Sequence, residues 1–233
     1  MIRMKREKGI MLPYEYNYYL SIGIYSKLSE YQERIKKLHD KNQPGIHTFS
    51  NIISHDVKRG VNGLNISNGF FVMRTIDMTL SAYFRLGLAV DPLIRINDVI
   101  YRVNRIVSLK EPDIKEGELK FKSLSPILIR DFDLKKKYVD APERVEDNLN
   151  KGALWILRNF FGLSDDETRD FHICTSNLKR KTVRISNSKA KEAITTAYEM
   201  TGEIKGSERA IRALYYRGLG SKPSLGLGCW EVI

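Results

Sequence analysis

The feature that most constrains the fold is an order of helices and strands that occurs twice along the chain. In each half, hydrophobic periodicity predicts a strand, a helix, two strands, a second helix and a further extended segment. In the first half these segments are 1–6, 14–29, 46–53, 69–75, 77–88 and 93–109, the last being a bent strand or a hairpin. In the second half they are 118–130, 144–161, 171–176, 182–185, 207–215 and 228–233, with 193–204 as an additional strand candidate. Asp77 is placed to cap the helix that it begins.

This strand–helix–strand–strand–helix–strand order is that of the ferredoxin-like, or RRM-like, βαββαβ fold. We therefore predict an α+β protein of two tandem domains, 1–112 and 113–233. The polar stretch that follows Glu111–Pro112 is typical of a domain boundary. A short basic helix at 30–39 and a loop or hairpin at 58–68 are also predicted in the first half.

The net charge of the chain indicates which classes of partner it is suited to bind. The chain has 39 Lys and Arg residues against 28 Asp and Glu residues, a formal charge of +11. This surplus favours nucleic acid or an anionic membrane surface as partner, with a basic protein that has no such partner as the alternative.

No apolar run approaches the roughly 20 residues of a membrane span. The two cysteines do not indicate a disulfide framework, and no C-x-x-C pair predicts zinc. We expect a cytoplasmic protein without metal, cofactor or membrane contact.

The most distinctive segment is glycine-rich, with the sequence GLGSKPSLGLG. Its glycines are Gly218, Gly220, Gly226 and Gly228, and its one charged residue is Lys222. Glycine permits positive backbone φ angles and lets a phosphate approach the amide groups closely. The G-K-[ST] triplet of a Walker loop is absent. Two interpretations stay open, a loop shaped to lie along a nucleic-acid backbone and a flexible hairpin.

Together with shorter motifs, this segment makes the chain resemble the CRISPR precursor-RNA endoribonucleases, a branch of the repeat-associated RNA-binding superfamily. The motifs are PYEYNYYLSIGIY (Pro13–Tyr25), LHD (Leu38–Asp40), HTFS (His47–Ser50) and SLSP (Ser123–Pro126), followed by GLGSKPSLGLGCWEV. The resemblance covers essentially the whole chain. It implies two ferredoxin-like domains, metal-independent cleavage of CRISPR repeat RNA in prokaryotes, and retention of the crRNA in some members.

The resemblance also implies catalytic residues. His39 matches the family histidine after the second helix and ranks first, and Tyr25 matches the tyrosine of the first helix and ranks second. Some members have a lysine shortly before the strand that here begins HTFS, and this chain lacks it. Lys41 or His47 is therefore the candidate for stabilising the transition-state charge, or His39 and His47 act as an acid–base pair.

The chemistry implied by the family needs no metal because the RNA supplies its own nucleophile. The 2′-OH attacks the adjacent phosphorus, leaving a 2′,3′-cyclic phosphate and a 5′-OH. The protein must supply a base, an acid and positive charge for the transition state. Histidine suits proton transfer because its reference pKa is about 6.5. Tyr25 would orient the base or hydrogen-bond the phosphate, because a pKa near 10 makes tyrosine a poor base.

Basic clusters are the candidates for RNA binding. They are Arg34, Lys36, Lys37 and Lys41; Arg130, Lys135, Lys136 and Lys137; and Lys179, Arg180, Lys181 and Arg184, with Lys222 in the glycine-rich segment. The third cluster is predicted at a hairpin tip and ranks first, since alternate residues such as Lys179 and Lys181 share one face of a strand. Each contact with a phosphate would release counterions, so binding should weaken with salt.

Other interpretations remain. A subunit that holds crRNA in a CRISPR effector complex without catalysis is the main alternative, and the missing lysine favours it. A homodimer is left open. Acidic runs at 131–133 and 165–167 favour turns and a helix start over a metal-dependent nuclease.

Structural roles compete with the catalytic ones. Without the resemblance, His39 is a polar residue near a helix end. Tyr25 shares its predicted apolar face with Tyr14, Tyr18 and Ile22, which favours a place in the core. The remaining histidines, His55 and His172, are expected at the surface.

Overall fold

The computed structural model describes residues 1–31, 45–115, 117–133, 137–186 and 192–233. The helices within these ranges are α1 (Asn17–Tyr25), α2 (Met78–Val90), α3 (Val145–Asn159), α4 (Asp165–Thr168) and α5 (Glu208–Arg217), with 3-10 turns at Ser26–Tyr31, Pro142–Arg144 and Pro223–Leu225. The strands are β1 (Ile2–Lys8), β2 (His47–Phe49), β3 (Val57–Gly60), β4 (Gly63–Ile66), β5 (Asn68–Phe71), β6 (Met73–Thr75), β7 (Leu93–Ile96), β8 (Val99–Ile106), β9 (Gly117–Ser123), β10 (His172–Ser186), β11 (Glu192–Gly206) and β12 (Trp230–Val232). Within the described residues, no helix is long and apolar enough to cross a bilayer.

The second half has the ferredoxin-like order. Its sheet is β10-β11-β9-β12, all antiparallel, so the first strand lies at the centre and the last strand at an edge. Helices α3 and α5 contribute the apolar residues Leu149, Leu157 and Leu214 to a core that also contains Phe121 and Trp230. The helices predicted at 144–161 and 207–215 correspond to α3 and α5.

The first half also has a four-stranded antiparallel sheet. Its hairpin follows the second helix of that half, whereas the hairpin of the second half precedes the last helix. The sheet is β5-β1-β8-β7, also antiparallel. The β7–β8 hairpin follows α2, so the hairpin alternative for 93–109 is confirmed. Asn97 takes a left-handed φ of 54° at the turn, which asparagine tolerates better than most residues. The α+β class with two ferredoxin-like units is therefore confirmed, while the boundary between 112 and 113 stays a prediction.

Two local predictions in the first half are confirmed. The side chain of Asp77 accepts hydrogen bonds from the backbone nitrogens of Thr79 and Leu80 and so caps α2. The segment 58–68 contains a hairpin, β3–β4. The predicted helix at 30–39 lies almost wholly outside the described residues.

The predicted buried face of α1 is wrong. Ile22 is 50 % exposed and Tyr14, just before the helix, is 51 % exposed. The core instead receives Tyr16, Leu20 and Ile24, which are spaced four residues apart. Both stripes are apolar, so periodicity alone did not distinguish them.

The basic cluster 179–184 does not form a hairpin tip, contrary to the sequence prediction. The two short predicted strands are parts of one long strand, β10. The pairing register with β11 shifts between Ser176 and Lys179, and Asn177 has a φ of 51°. This irregularity accommodates one extra residue without ending the strand, so the basic residues lie along β10.

Candidate active site

Tyr25 and His47 lie against each other on neighbouring elements. Tyr25 ends α1, and His47 begins β2, where it pairs with Thr75 of β6. Their ring centroids are 5.6 Å apart and the rings meet edge to face at 74°. His47 is only 2 % exposed. The structure therefore brings together two of the three predicted catalytic residues, whereas His39 lies outside the described residues.

A third residue of this site comes from the other half of the chain. The side chain of Ser224, in the glycine-rich segment, forms a hydrogen bond with that of Tyr25. Burial raises the pKa of Tyr25, and the Ser224 hydrogen bond offsets this only in part. Because the raised pKa disfavours the phenolate, the side chain suits hydrogen bonding better than a role as base.

The glycine-rich segment packs closely onto protein atoms of both halves. Positive φ angles occur at all four predicted glycines, Gly218, Gly220, Gly226 and Gly228. A Cβ atom at Gly226 would lie 2.3 Å from the Phe49 ring, and one at Gly228 would lie 1.9 Å from the Leu219 carbonyl oxygen. The glycines are thus needed for packing within the chain, a reason absent from both sequence interpretations.

Several residues that hold this segment were missed by the sequence analysis. The Asn17 side-chain amide donates to the Gly226 carbonyl oxygen at 2.8 Å and to the Asn51 side-chain oxygen at 2.9 Å. Arg217 is 2 % exposed and donates to the carbonyl oxygens of Gly218 and Gly220, at 2.9 Å and 3.1 Å. Burial lowers the Arg217 pKa to about 10. An arginine directly before the glycine-rich segment was the available signal.

Arg74 joins the two halves beside the same segment. This buried β6 residue donates to the Trp230 carbonyl oxygen, and its guanidinium lies 4.0 Å from the Tyr215 ring centroid. A backbone hydrogen bond from the Asn51 nitrogen to the Leu124 carbonyl oxygen, at 2.9 Å, adds to this junction. The candidate site is therefore assembled from both halves, and neither supplies it alone.

The second basic cluster approaches the glycine-rich segment. Leu128 bridges to Ser221, and the adjoining Arg130 and Lys137 are both exposed. Partial burial, and next the charge of Lys137, lower the pKa of Lys222. Among the described residues neither lysine forms an ion pair, so positive charge is left uncompensated here. Lys135 and Lys136 lie outside the described residues.

The third basic cluster is divided between the two faces of β10. Lys179 and Lys181 share a face as predicted, because the pairing with β11 is regular there. Their neighbours Arg180 and Arg184 lie on the other face. Lys181 contacts Glu199 at 3.1 Å, Arg184 contacts Glu15 at 2.8 Å, and Arg180 donates to the Asp140 carbonyl oxygen. Two of the four charges, those of Lys181 and Arg184, are thus already paired with carboxylates.

A cleft of about 330 Å³ separates β10 from the first half. Its lining includes Tyr14, Asn17, Arg59, Lys181 and Arg184. The lining also includes Glu15 and Glu199, the carboxylates that pair with Arg184 and Lys181, so the positive charge of the cleft is partly compensated.

Some predicted residues remain unplaced. Arg34, Lys36, Lys37, His39 and Lys41 all lie within 32–44, outside the described residues. The expectation of surface positions for His55 and His172 is confirmed, since both side chains are exposed.

Family models match both halves of the chain. The model "CRISPR-associated protein Cas6, N-terminal" matches residues 11–107, and "CRISPR associated protein Cas6, C-terminal" matches residues 109–232. The chain belongs to the Cas6 family. A CRISPR-associated endoribonuclease-like Cas6 protein of Pyrococcus furiosus is 26 % identical over 232 residues, covering 96 % of this chain and 93 % of the relative. The CRISPR-associated endoribonuclease Cas6 of the same organism is 24 % identical over 238 residues, covering 97 % and 86 %.

Solved structures agree with this Cas6 assignment. A structure of an RAMP protein binding different RNA substrates superimposes with a TM-score of 0.81 at 25 % identity, covering 100 % of this chain and 98 % of the other. The family resemblance drawn from the sequence motifs is therefore confirmed.

Proposed function

We propose that this Cas6-family chain cleaves CRISPR repeat RNA in the precursor transcript without a metal ion. The 2′-OH is the nucleophile, and the products carry a 2′,3′-cyclic phosphate and a 5′-OH. The observation that carries the proposal is the meeting of Tyr25, His47 and Ser224 at the junction of the two halves. The contacts of Tyr25 with His47 and Ser224 hold its phenol in a fixed place, which favours a defined position for one phosphodiester.

Roles follow from exposure and charge. His47 is 2 % exposed, which leaves little of its imidazole for contact with RNA, and its ring contact with Tyr25 supports a role in orienting that residue. His39 remains the first candidate for moving the nucleophile's proton. Tyr25 donates a hydrogen bond to the phosphate or to the base, because its phenol is neutral.

Lys222 is a further candidate for stabilising the transition-state charge. It lies two residues before Ser224, and Lys137 acts on it electrostatically. A phosphate placed near both lysines would reduce their mutual repulsion. Arg184, by contrast, would first have to break its ion pair with Glu15. The lysine absent before β2 is thus replaced by one from the glycine-rich segment or by Lys41.

A subunit that binds crRNA without cutting it is the second candidate function. His47 begins the strand before which other members have a lysine. Its near-complete burial favours the function of binding crRNA without cutting it. The two functions predict the same salt-sensitive RNA binding and differ in product formation.

The deciding experiment incubates the full chain with the repeat RNA of its own genome in EDTA. We expect cleavage, a loss of at least about 100-fold in His39→Ala, and a smaller loss in His47→Ala. The matched control is His55→Ala, which replaces an exposed histidine and should cleave normally. Tight binding without product in the unmodified chain would establish the binding function instead, and a requirement for added divalent metal would overturn the mechanism.

A further inference from the structure

A cluster of three chemically distinct side chains lies at the free edge of the second sheet, outside the candidate active site. Glu146 is in the first turn of α3, and His172 and Cys174 are on the edge strand β10. One oxygen, one nitrogen and the sulfur of these residues all lie within 4.8 Å of one another. We propose that Glu146, His172 and Cys174 bind a zinc ion.

The strand geometry directs two of the ligands to one side. His172 and Cys174 are two residues apart, and their pairing with β11 is regular through Ile173. Their side chains therefore project from the same face. Both are exposed, so small rotations about their χ angles can bring the imidazole and the thiol together.

The position of Glu146 completes the ligand set. Its Oε1 atom lies 3.8 Å from Nε2 of His172. Ligand atoms around a tetrahedral zinc ion are separated by about 3.3–3.8 Å, given zinc bond lengths of about 2.0–2.3 Å. The carboxylate and imidazole are thus already near the required spacing, and because the sulfur lies within 4.8 Å of both it must move by at most about one ångström.

Hydrogen bonds fix the carboxylate in this orientation. Oε2 of Glu146 accepts from the backbone nitrogen of Thr175 at 2.6 Å and from its hydroxyl at 3.1 Å. One turn later, Asn150 pairs with both the nitrogen and the carbonyl oxygen of Ile173, at 2.8 Å each. The start of α3 is therefore pinned to the strand edge. Oε1 is therefore directed toward His172. Hydrogen bonds of this kind also orient the carboxylates that bind metal ions in proteins.

The chemical types of the three ligands indicate which cation the site would bind. Thiolate, imidazole and carboxylate together are typical of Zn²⁺, whereas Mg²⁺ and Ca²⁺ prefer oxygen ligands alone. A water molecule would fill the fourth position. The sequence analysis did not find this set because it depends on a glutamate 26 residues before His172, and no motif has that spacing.

The test is a titration of tag-free, metal-free full-length protein with Co²⁺. We expect one equivalent to bind, with a near-ultraviolet thiolate-to-cobalt absorption band that Zn²⁺ displaces. Cys174→Ser should remove the band, and His172→Ala and Glu146→Gln should each weaken binding at least about 10-fold. Glu146→Gln keeps an oxygen that can accept from Thr175, and circular dichroism checks that each variant is folded.

The matched control is His55→Ala, an exposed histidine elsewhere, which should leave the titration unchanged. Absence of the band at about 100 µM Co²⁺, or equal affinity in Cys174→Ser, would overturn the proposal. RNA cleavage in EDTA is unaffected by either result, so the zinc site and the proposed nuclease function fail or succeed separately.

Discussion

The side-chain amide nitrogen of Asn17 lies 2.8 Å from the carbonyl oxygen of Gly226, 209 residues further along the chain. The same nitrogen is 2.9 Å from the Asn51 side-chain oxygen. One residue of α1 therefore holds both the glycine-rich segment and the chain after β2, and Tyr25 ends that same helix. The position of the candidate catalytic tyrosine is tied to the junction of the two halves.

Replacing Asn17 tests this link. We expect Asn17→Ala to lower the free energy of unfolding by about 1–3 kcal/mol, because two partly buried acceptors lose their donor. RNA cleavage should fall more than RNA binding, since the Tyr25–Ser224 contact loosens. Urea unfolding and single-turnover cleavage measure the two effects. The control Asn104→Ala, at an exposed position of β8, should change stability by less than about 0.5 kcal/mol; an equal effect in both variants would contradict the assigned role.

Gly226→Ala tests the packing role of the glycine-rich segment. The new methyl group would meet the Phe49 ring at 2.3 Å on a backbone with a φ of 72°. We expect a loss of about 2–4 kcal/mol in unfolding free energy, the sum of overpacking and left-handed strain. Gly162→Ala is the matched control, because its φ is 64° with open space around the added atom. It should cost only about 1–2 kcal/mol, and equal losses would show that no clash occurs.

The pH dependence of cleavage tests the role of Tyr25. Burial raises the pKa of this side chain above its usual value of about 10, so the phenol stays protonated from about pH 6 to pH 9. We expect Tyr25→Phe to lower the single-turnover rate at every pH in this range by a similar factor. The shape of the pH–rate profile should be retained, since another group titrates. Loss of an alkaline limb in Tyr25→Phe would identify the phenolate as the base and contradict this role.

Lys222 and Lys137 are expected to contact RNA phosphates. Each alanine substitution should reduce the slope of log affinity against log salt concentration by about 0.7–0.9, the value for one released counterion. Fluorescence anisotropy at several salt concentrations measures the slope. Lys115→Ala is the control, because this exposed lysine is already paired with Asp113 at 2.8 Å. A slope that changes no more for Lys222→Ala than for the control would remove Lys222 from the RNA-binding surface.

Local signals predicted much of the fold, and long-range packing accounts for the failures. The Asp77 cap and the strand candidate 193–204, which lies within β11, depend on residues near in sequence, so they were found. The face of α1 that contains Tyr16 is buried because Leu20 and Ile24 meet strands distant in sequence. The function of the glycines depends on Phe49 and Leu219, which no local pattern connects to them.

The candidate site was predictable only in part for the same reason. The motifs identified Tyr25 and His47, but Ser224 and Asn17 act through contacts between the two halves. Ordinary serine and asparagine residues carry no sequence signal for such contacts. Arg74 was likewise hidden among the 39 basic residues of the chain, whereas the position of Arg217 directly before the glycine-rich segment was a usable signal.

The most direct test of the account is cleavage of repeat RNA that carries a single 2′-deoxynucleotide immediately 5′ of the scissile phosphate. The account predicts that the all-ribose RNA is cut in EDTA to ends with a 2′,3′-cyclic phosphate and a 5′-OH, and that the deoxy-substituted RNA is bound equally well but not cut at that position. Cleavage of the deoxy-substituted RNA at the same phosphate, or products with a 5′-phosphate, would contradict the account.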